Sequence, residues 1–313
     1  MTTADANIVE QAVQSIDFAN INVQSHYLLV DCKMSVWGGT KSDREVARKT
    51  EEENASSRKG SYTKQLVRKS RKHHTTLSQL SGMKATTEAW FKAITSPWDD
   101  AGRRAISVRR LESFMAEFSE RRDRFYRLLN EFIDSDYEQE IEHAKNELGS
   151  LFKIEDYPTK DSMRRKFHFS FSTEAIQGVE ALSHFSTVLS NETTSRIAQV
   201  VGESMIDKLK GSYESELKRM FETFADFRIA LDDAKHTIKE RTWENLAEYL
   251  DRVPDINLVN SPVLNEAAAK IEEAMSETDP QDVRDNYTSA ADLAVVLDDV
   301  LVGIDAELNS MFG

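Results

Sequence analysis

Four groups of residues in this chain have types and spacing that could do chemistry. Glu140 and His143 stand three apart in a helical stretch, the Glu-x-x-His spacing of di-iron bundles. Such a site needs a second pair and two further helical glutamates. The nearest second pair, Asp233 with His236, has the spacing but the shorter acid, so a solvated helix face is the simpler reading and no metal is expected. Asp99 and Asp100 follow Trp98 in SPWDDAGRR and are the nearest thing to paired carboxylates for acid–base work. Their structural reading is an inter-helix turn, with Trp98 packed and an aspartate capping the next helix. Cys32 falls in the middle of an alternating apolar run, which favours a packed thiol over a nucleophile. His73-His74 sit beside four bases without a cysteine or carboxylate at ligand spacing, and read as part of a basic surface.

That basic surface is the fourth group. From Asn54 to Thr87 there is no acid, while Arg58, Lys59, Lys64, Arg68, Lys69, Arg71, Lys72 and Lys84 are basic. Such a run could follow nucleic-acid phosphates, with Tyr62 or Trp90 stacking on bases. It would also suit an acidic protein partner, including the C-terminal third of this same chain, although a charge run of this kind is most often a solvated face. The net charge of −14 lies entirely beyond residue 200, where 25 acids face 11 bases. The chain is therefore two-signed.

The elements that must position these groups are mostly helices. Only 11 glycines and 5 prolines in 313 residues argue against an all-β sandwich or propeller. One cysteine excludes a disulfide framework and a cysteine-rich zinc module, and fits a reducing compartment. The polar start MTTADANIVEQ does not read as a signal peptide, and no apolar run approaches a membrane span. No phosphate-loop, dinucleotide, zinc-protease or serine-hydrolase motif is present, so neither catalytic residues nor cofactors are expected.

Two segments alternate with period two: YLLVDCKMSVW (27–37), stopped by Gly38-Gly39, and FHFSFS (167–172). A lone strand leaves its backbone groups unpaired, so the spacing predicts a small two-stranded antiparallel sheet of about 27–37 with 166–173. Helices are predicted over 42–56, 62–95 and 107–150. In the last, Val108, Leu111, Met115, Phe118, Phe125, Leu129 and Phe132 keep heptad spacing, and after a slip Tyr137, Ile141, Ala144 and Leu148 resume it. The strictest repeat is Tyr213, Leu217, Met220, Phe224, Phe227, Leu231, Ala234 and Ile238. The simplest pairing is an antiparallel helical hairpin, 107–150 against 192–250, ended near Pro254. Ser261-Pro262 then open a helix, and a final one covers about 288–310. The expected class is thus mainly α, a long helical hairpin or coiled-coil bundle with a small sheet. It would comprise a domain over 1–190 and a long helix with acidic helices over 191–313, or one continuous domain.

GSYTKQL (60–66), SPWDDAGRRAISVRRLESFM (96–115), ELGSLFKIEDYP (147–158) and SMRRKFHFSF (162–171) occur in that order. Together they resemble an uncharacterised family of phage-encoded helical proteins. VDCKMSVWGGTK and the later phenylalanine-rich strand are more distantly similar to a bacterial domain of unknown function encoded near MoxR-type ATPases. The resemblance covers about residues 25–175, including the Trp98-Asp99-Asp100 loop. It implies a phage protein in the bacterial cytoplasm and brings no catalytic residues. The leading expectation is a non-enzymatic protein-interaction or scaffold protein, with a protein partner that could be a second copy. The alternative is nucleic-acid binding through 58–72, and an enzyme built on Asp99 and Asp100 ranks third.

Overall fold

The computed structural model describes residues 17, 21–54, 62–67, 75–179, 181, 190–232, 238–278, 280–285 and 287–312. It is mainly helical with a small antiparallel sheet. The strands are β1 (Tyr27–Ser35), β2 (Thr40–Ser42), β3 (Thr63–Gln65), β4 (Ser96–Pro97), β5 (Arg104–Ser107) and β6 (His168–Ala175). The helices are α1 (Arg44–Glu53), α2 (Thr76–Ala93), α3 (Leu111–Glu131), α4 (Tyr137–Leu148), α5 (Lys160–Arg164), α6 (Asn191–Asp232), α7 (Glu240–Ile256), α8 (Pro262–Ser276), α9 (Pro280–Asp285) and α10 (Tyr287–Phe312).

Two compact units are described, each drawn from several stretches of the chain. One comprises 1–31, 92–112 and 172–313; the other comprises 32–91 and 113–171. The two predicted strands are neighbours, but in a four-stranded sheet ordered β4-β5-β1-β6. The sequence reading missed β4 and β5 because two and four residues are too short to show alternation. They form an antiparallel hairpin, Ser96 opposite Ala105 and Pro97 opposite Arg104, and β5 then pairs antiparallel with Tyr27–Val30 of β1. Pro97 lies on the edge strand, where a missing N–H costs no ladder bond. Likewise, 62–95 is not one helix: Thr63–Gln65 pairs with Thr40–Ser42 as a second small sheet, and the helix starts at Thr76.

In the unit that holds the C-terminal third, the strict repeat on α6 is buried as read: Tyr213, Leu217, Met220, Phe224, Phe227 and Leu231 all face inward. Its cover is α10 and α7, with α8 packed on both of those helices. From α10 come Leu293, Leu297, Val300 and Ile304, so an apolar stripe meets an apolar stripe. Ala234 lies outside the described residues, Ile238 is buried just before α7 begins, and α7 continues past Pro254 to Ile256. Ser261 caps α8, its hydroxyl accepting the Leu264 N–H, with Pro262 in the first turn.

In the other unit, α3 presents Phe114, Phe118, Phe125 and Leu129 inward, while Met115 is turned out. Val108, counted on the seam from the sequence, belongs to the turn Val108–Arg110 before the helix and is exposed. Phe118 meets Phe169 and Phe171, Phe125 meets Phe167 and Phe169, and Phe114 stacks on Trp90 at 5.3 Å. Each long helix thus has cover from elements of its own unit. The slip in the heptad has a structural counterpart. Phe132–Asp136 is a π-helical turn joining α3 to α4. It inserts the extra residue that returns Tyr137 and Ala144 to the buried side, together with Phe132 and Ile133.

Candidate functional site

The densest buried polar cluster in the described residues is centred on α6. Glu216, on the buried side of that helix, is 2% exposed. Arg219 lies one turn on, and its Nη1 approaches a Glu216 carboxylate oxygen at 3.3 Å. The Arg219 hydrogen bonds go elsewhere, from Nη2 to the carbonyl oxygens of Lys92 (3.0 Å) and Thr95 (3.4 Å). Arg104, from β5, makes the same choice. It donates to Thr95 Oγ1 at 2.6 Å, to the Thr95 carbonyl at 2.5 Å and to the Lys92 carbonyl at 3.3 Å. Ser96 Oγ on β4 lies beside Glu216 but donates to the Ile256 carbonyl at 2.8 Å.

Two guanidinium groups are thus spent on the chain at 92–95. Both Glu216 oxygens, the Ser212 and Tyr249 hydroxyls and Arg219 Nη1 are buried without a hydrogen-bond partner among the described residues. Burial pushes the Glu216 carboxyl up to about 7, against the pull of Arg219, Arg104 and Ser96. Burial, with the neighbouring Arg219 charge, pushes Arg104 down to about 10. The Tyr249 phenol is raised by burial and by the Glu216 charge. The cluster is a buried carboxyl beside two guanidinium groups, assembled from β4, β5, α6 and α7.

A second polar network ties α6, α8 and α10 together. Tyr213 donates to Glu307 at 2.6 Å and accepts from Ser261 Oγ at 2.9 Å. Asn257 clamps Ser261, accepting its N–H at 2.8 Å and donating to its carbonyl at 3.0 Å. Burial raises the Glu307 carboxyl, only partly offset by the Tyr213 hydrogen bond. Ser261→Ala removes a helix cap and a buried donor to Tyr213 together. It is expected to cost about 2 kcal/mol in urea unfolding of this unit, and a loss under half of that would show that the cap is dispensable.

In the other unit the structure corrects the reading of Lys64. The side chain is 1% exposed and forms ion pairs with Asp43 at 3.3 Å and with Asp156, while its Nζ donates to the Leu151 carbonyl at 3.1 Å. Lys41 joins Asp156 from the surface at 2.6 Å. This ammonium is consumed internally and presents nothing to a phosphate or an acidic partner. The other six residues of the expected patch, Arg58, Lys59, Arg68, Lys69, Arg71 and Lys72, lie outside the described residues, as do His73 and His74. Lys84 is described, and pairs with Glu88 one turn along α2.

Trp98 is packed, as expected, but the loop after it closes the β4–β5 hairpin and is not an inter-helix turn. Asp99 accepts the Arg103 N–H at 3.1 Å and pairs with its guanidinium at 2.7 Å, so it braces this loop and caps no helix. Burial would raise Asp99, but Arg103 outweighs it and holds the carboxyl below its ordinary value. Gly102, at φ +88°, makes the return bend that a side chain would strain. Asp100 is exposed, while Asp99 is engaged by Arg103. Glu140 is buried while His143 is exposed, and Asp233 and His236 lie outside the described residues. Among the described residues no three His, Cys, Asp or Glu side chains converge as a metal site, and no helix is long and apolar enough to cross a membrane. Cys32 is half-buried in β1.

The Glu216 cluster was not visible in the sequence. The one available signal was an acid inside the strictest apolar repeat, between Tyr213 and Leu217. No family model, curated protein or solved structure matches the chain.

Proposed function

We propose that the chain is a non-enzymatic protein-interaction or scaffold protein of a phage, working in the bacterial cytoplasm, and that the solvent face of α10 receives a basic protein segment. The observation that carries this reading is the composition of that face. The 26 residues of α10 include no lysine, arginine or histidine and four exposed acids, Asp292, Asp298, Asp299 and Asp305, of which Asp298 pairs with Arg228 and Asp299 with Lys270. Asp292, Val295, Asp299 and Val302 recur at spacings of three, four and three on the side opposite the core, and all are exposed. Val295 is 68% and Val302 57% exposed. Beside them, α8 adds exposed Glu266, Glu272 and Glu273 against a single base, Lys270. Exposed aliphatics between acids at helical spacing suit a helix that carries aliphatic side chains flanked by lysine or arginine.

The test uses a defined probe, a synthetic peptide of residues 58–72 of this sequence, titrated into the full chain by calorimetry. Binding is expected at low salt and weakens as salt rises. The combined variant Asp292→Asn, Val295→Ser, Asp299→Asn, Val302→Ser changes only exposed side chains, and is expected to weaken it at least about tenfold. Equal binding by the variant, or none by the parent chain at low salt, would overturn the assignment of this face.

A second reading rests on the acid-free run from Asn54 to Thr87, in which Arg58, Lys59, Arg68, Lys69, Arg71 and Lys72 contact nucleic-acid phosphates. It requires affinity for DNA or RNA that falls steeply with salt and disappears when Arg68, Lys69, Arg71 and Lys72 are neutralised.

A further inference from the structure

We propose that the first half of α6 pairs antiparallel with the same stretch of a second copy of this chain, about a two-fold axis between Val200 and Val201. The helix outruns its cover. It holds 42 residues, and its buried ones run from Leu209 to Leu231. Residues 191–208 continue it for about 27 Å at 1.5 Å per residue. One side of that stretch leans toward its own unit: Ala198, Gly202 and Met205 are half-buried, and Met205 packs against the core. The neighbouring side carries Ile197, Val200, Val201 and Ser204, which share one stripe of the helix. Val200 is 63% exposed, Ser204 is exposed, and Ile197 and Val201 are half-buried.

Charge identifies the occupant. The net charge of −14 lies beyond residue 200, so two copies repel over most of the C-terminal third. Residues 191–210 are neutral, with Glu192, Glu203 and Asp207 against Arg196, Lys208 and Lys210. The stripe itself holds no charge, which leaves a strongly charged partner nothing to pair with there. A second copy brings the same uncharged stripe, and a two-fold axis makes such a patch self-complementary.

The flank of the stripe sets the orientation. Arg196 and Asp207 stand about three turns apart on one side of it, and both are exposed. An antiparallel pair sets Ile197 opposite Ser204 and Val200 opposite Val201. It also brings Arg196 of each copy to Asp207 of the other, with an offset of about 3 Å along the axis. A parallel pair would instead set Arg196 against Arg196 and Asp207 against Asp207. Within one chain Arg196 meets Glu192 in a surface pair, 79% and 76% exposed, which holds it weakly.

Sedimentation equilibrium of the full chain reads the association, and a dimer of twice 35.6 kDa is expected. Val200→Asp, at an exposed position, is expected to weaken it at least about tenfold. Arg196→Asp and Asp207→Arg each bring like charges together twice, and each is expected to weaken it about threefold. The double exchange Arg196→Asp with Asp207→Arg is expected to restore parent affinity, which a folding defect could not do. A parent chain that stays monomeric up to its solubility limit overturns the proposal. So does equal dimerisation by Val200→Asp, which would put the interface elsewhere, or a double exchange that associates no more tightly than either single one.

Discussion

Lys64→Met is expected to destabilise the unit formed by 32–91 and 113–171 by about 3–5 kcal/mol, as for a buried ion pair that loses one partner. Methionine keeps the length and apolar stem of lysine, so packing is largely preserved. What is lost is the charge that Asp43 and Asp156 share. Those carboxylates are only 10% and 5% exposed, and without the ammonium they must be desolvated unpaired or protonated.

The control comes from the same acid-free run. Lys84→Met removes a half-exposed lysine from an (i, i+4) surface pair, and is expected to change stability by no more than about 0.5 kcal/mol. Urea unfolding followed through Trp37 and Trp90, the two tryptophans of this unit, separates the two outcomes. A cost below about 1 kcal/mol for Lys64→Met would show that this ammonium is not structural.

The pH response carries the same logic. Asp43 is held below its ordinary value by the Val46 N–H and by Lys64. Burial alone would raise Asp156, but the hydrogen bonds and charges of Lys41 and Lys64 outweigh it and hold that carboxyl low as well. For both groups the stabilisation is present above the ordinary carboxylate value and is lost as pH falls below it. Acid unfolding of this unit is accordingly expected to be steeper in the parent chain than in Lys64→Met.

Deleting Ser135 is expected to cost about 3–5 kcal/mol or more, the scale of losing a large buried side chain, although Ser135 is itself exposed. The π-helical turn Phe132–Asp136 holds one residue more than a regular helix would. Removing it rotates everything after the turn by about 100° relative to α3. Tyr137, which donates to the Pro158 carbonyl at 2.8 Å and meets the ring of Trp37 edge-on at 6.0 Å, would turn away from both partners. Ala144 and Glu140 would leave the interior with it. Ser135→Ala leaves the backbone count intact and is expected to be near neutral. Circular dichroism and urea unfolding of the two variants decide between register and side chain. Equal stabilities would mean that the turn is incidental.

Much of the local structure was legible because it is written in short-range patterns. The inward residues of α6 follow the strict repeat, Ser261-Pro262 cap α8 as their types require, and the two alternating segments lie side by side in one sheet. Even the slip between Phe132 and Tyr137 was visible, though its meaning as a π-helical turn was not. The long hairpin asked more of the stripes than they state. A heptad stripe states that a face is buried without stating by what, and here β6 and Trp90 cover α3 while α10 and α7 cover α6. Short strands β4 and β5 escaped because they are shorter than the period needed to see them.

The charged residues divide along the same line. Sequence alone determined the sign and place of charge: an acid-free run before residue 88 and an acidic excess confined to the end of the chain. Both are sums over residues and need no partner to be counted. Tertiary structure alone decided what individual charges do. Lys64, a member of the basic run, is sealed between Asp43 and Asp156, and Glu216, one acid among many, is sealed between Arg104, Arg219 and Tyr249. The reason is the range of the forces involved. Desolvation and ion pairing act over a few ångströms of space, and Arg104 reaches Glu216 from more than a hundred positions away in the chain.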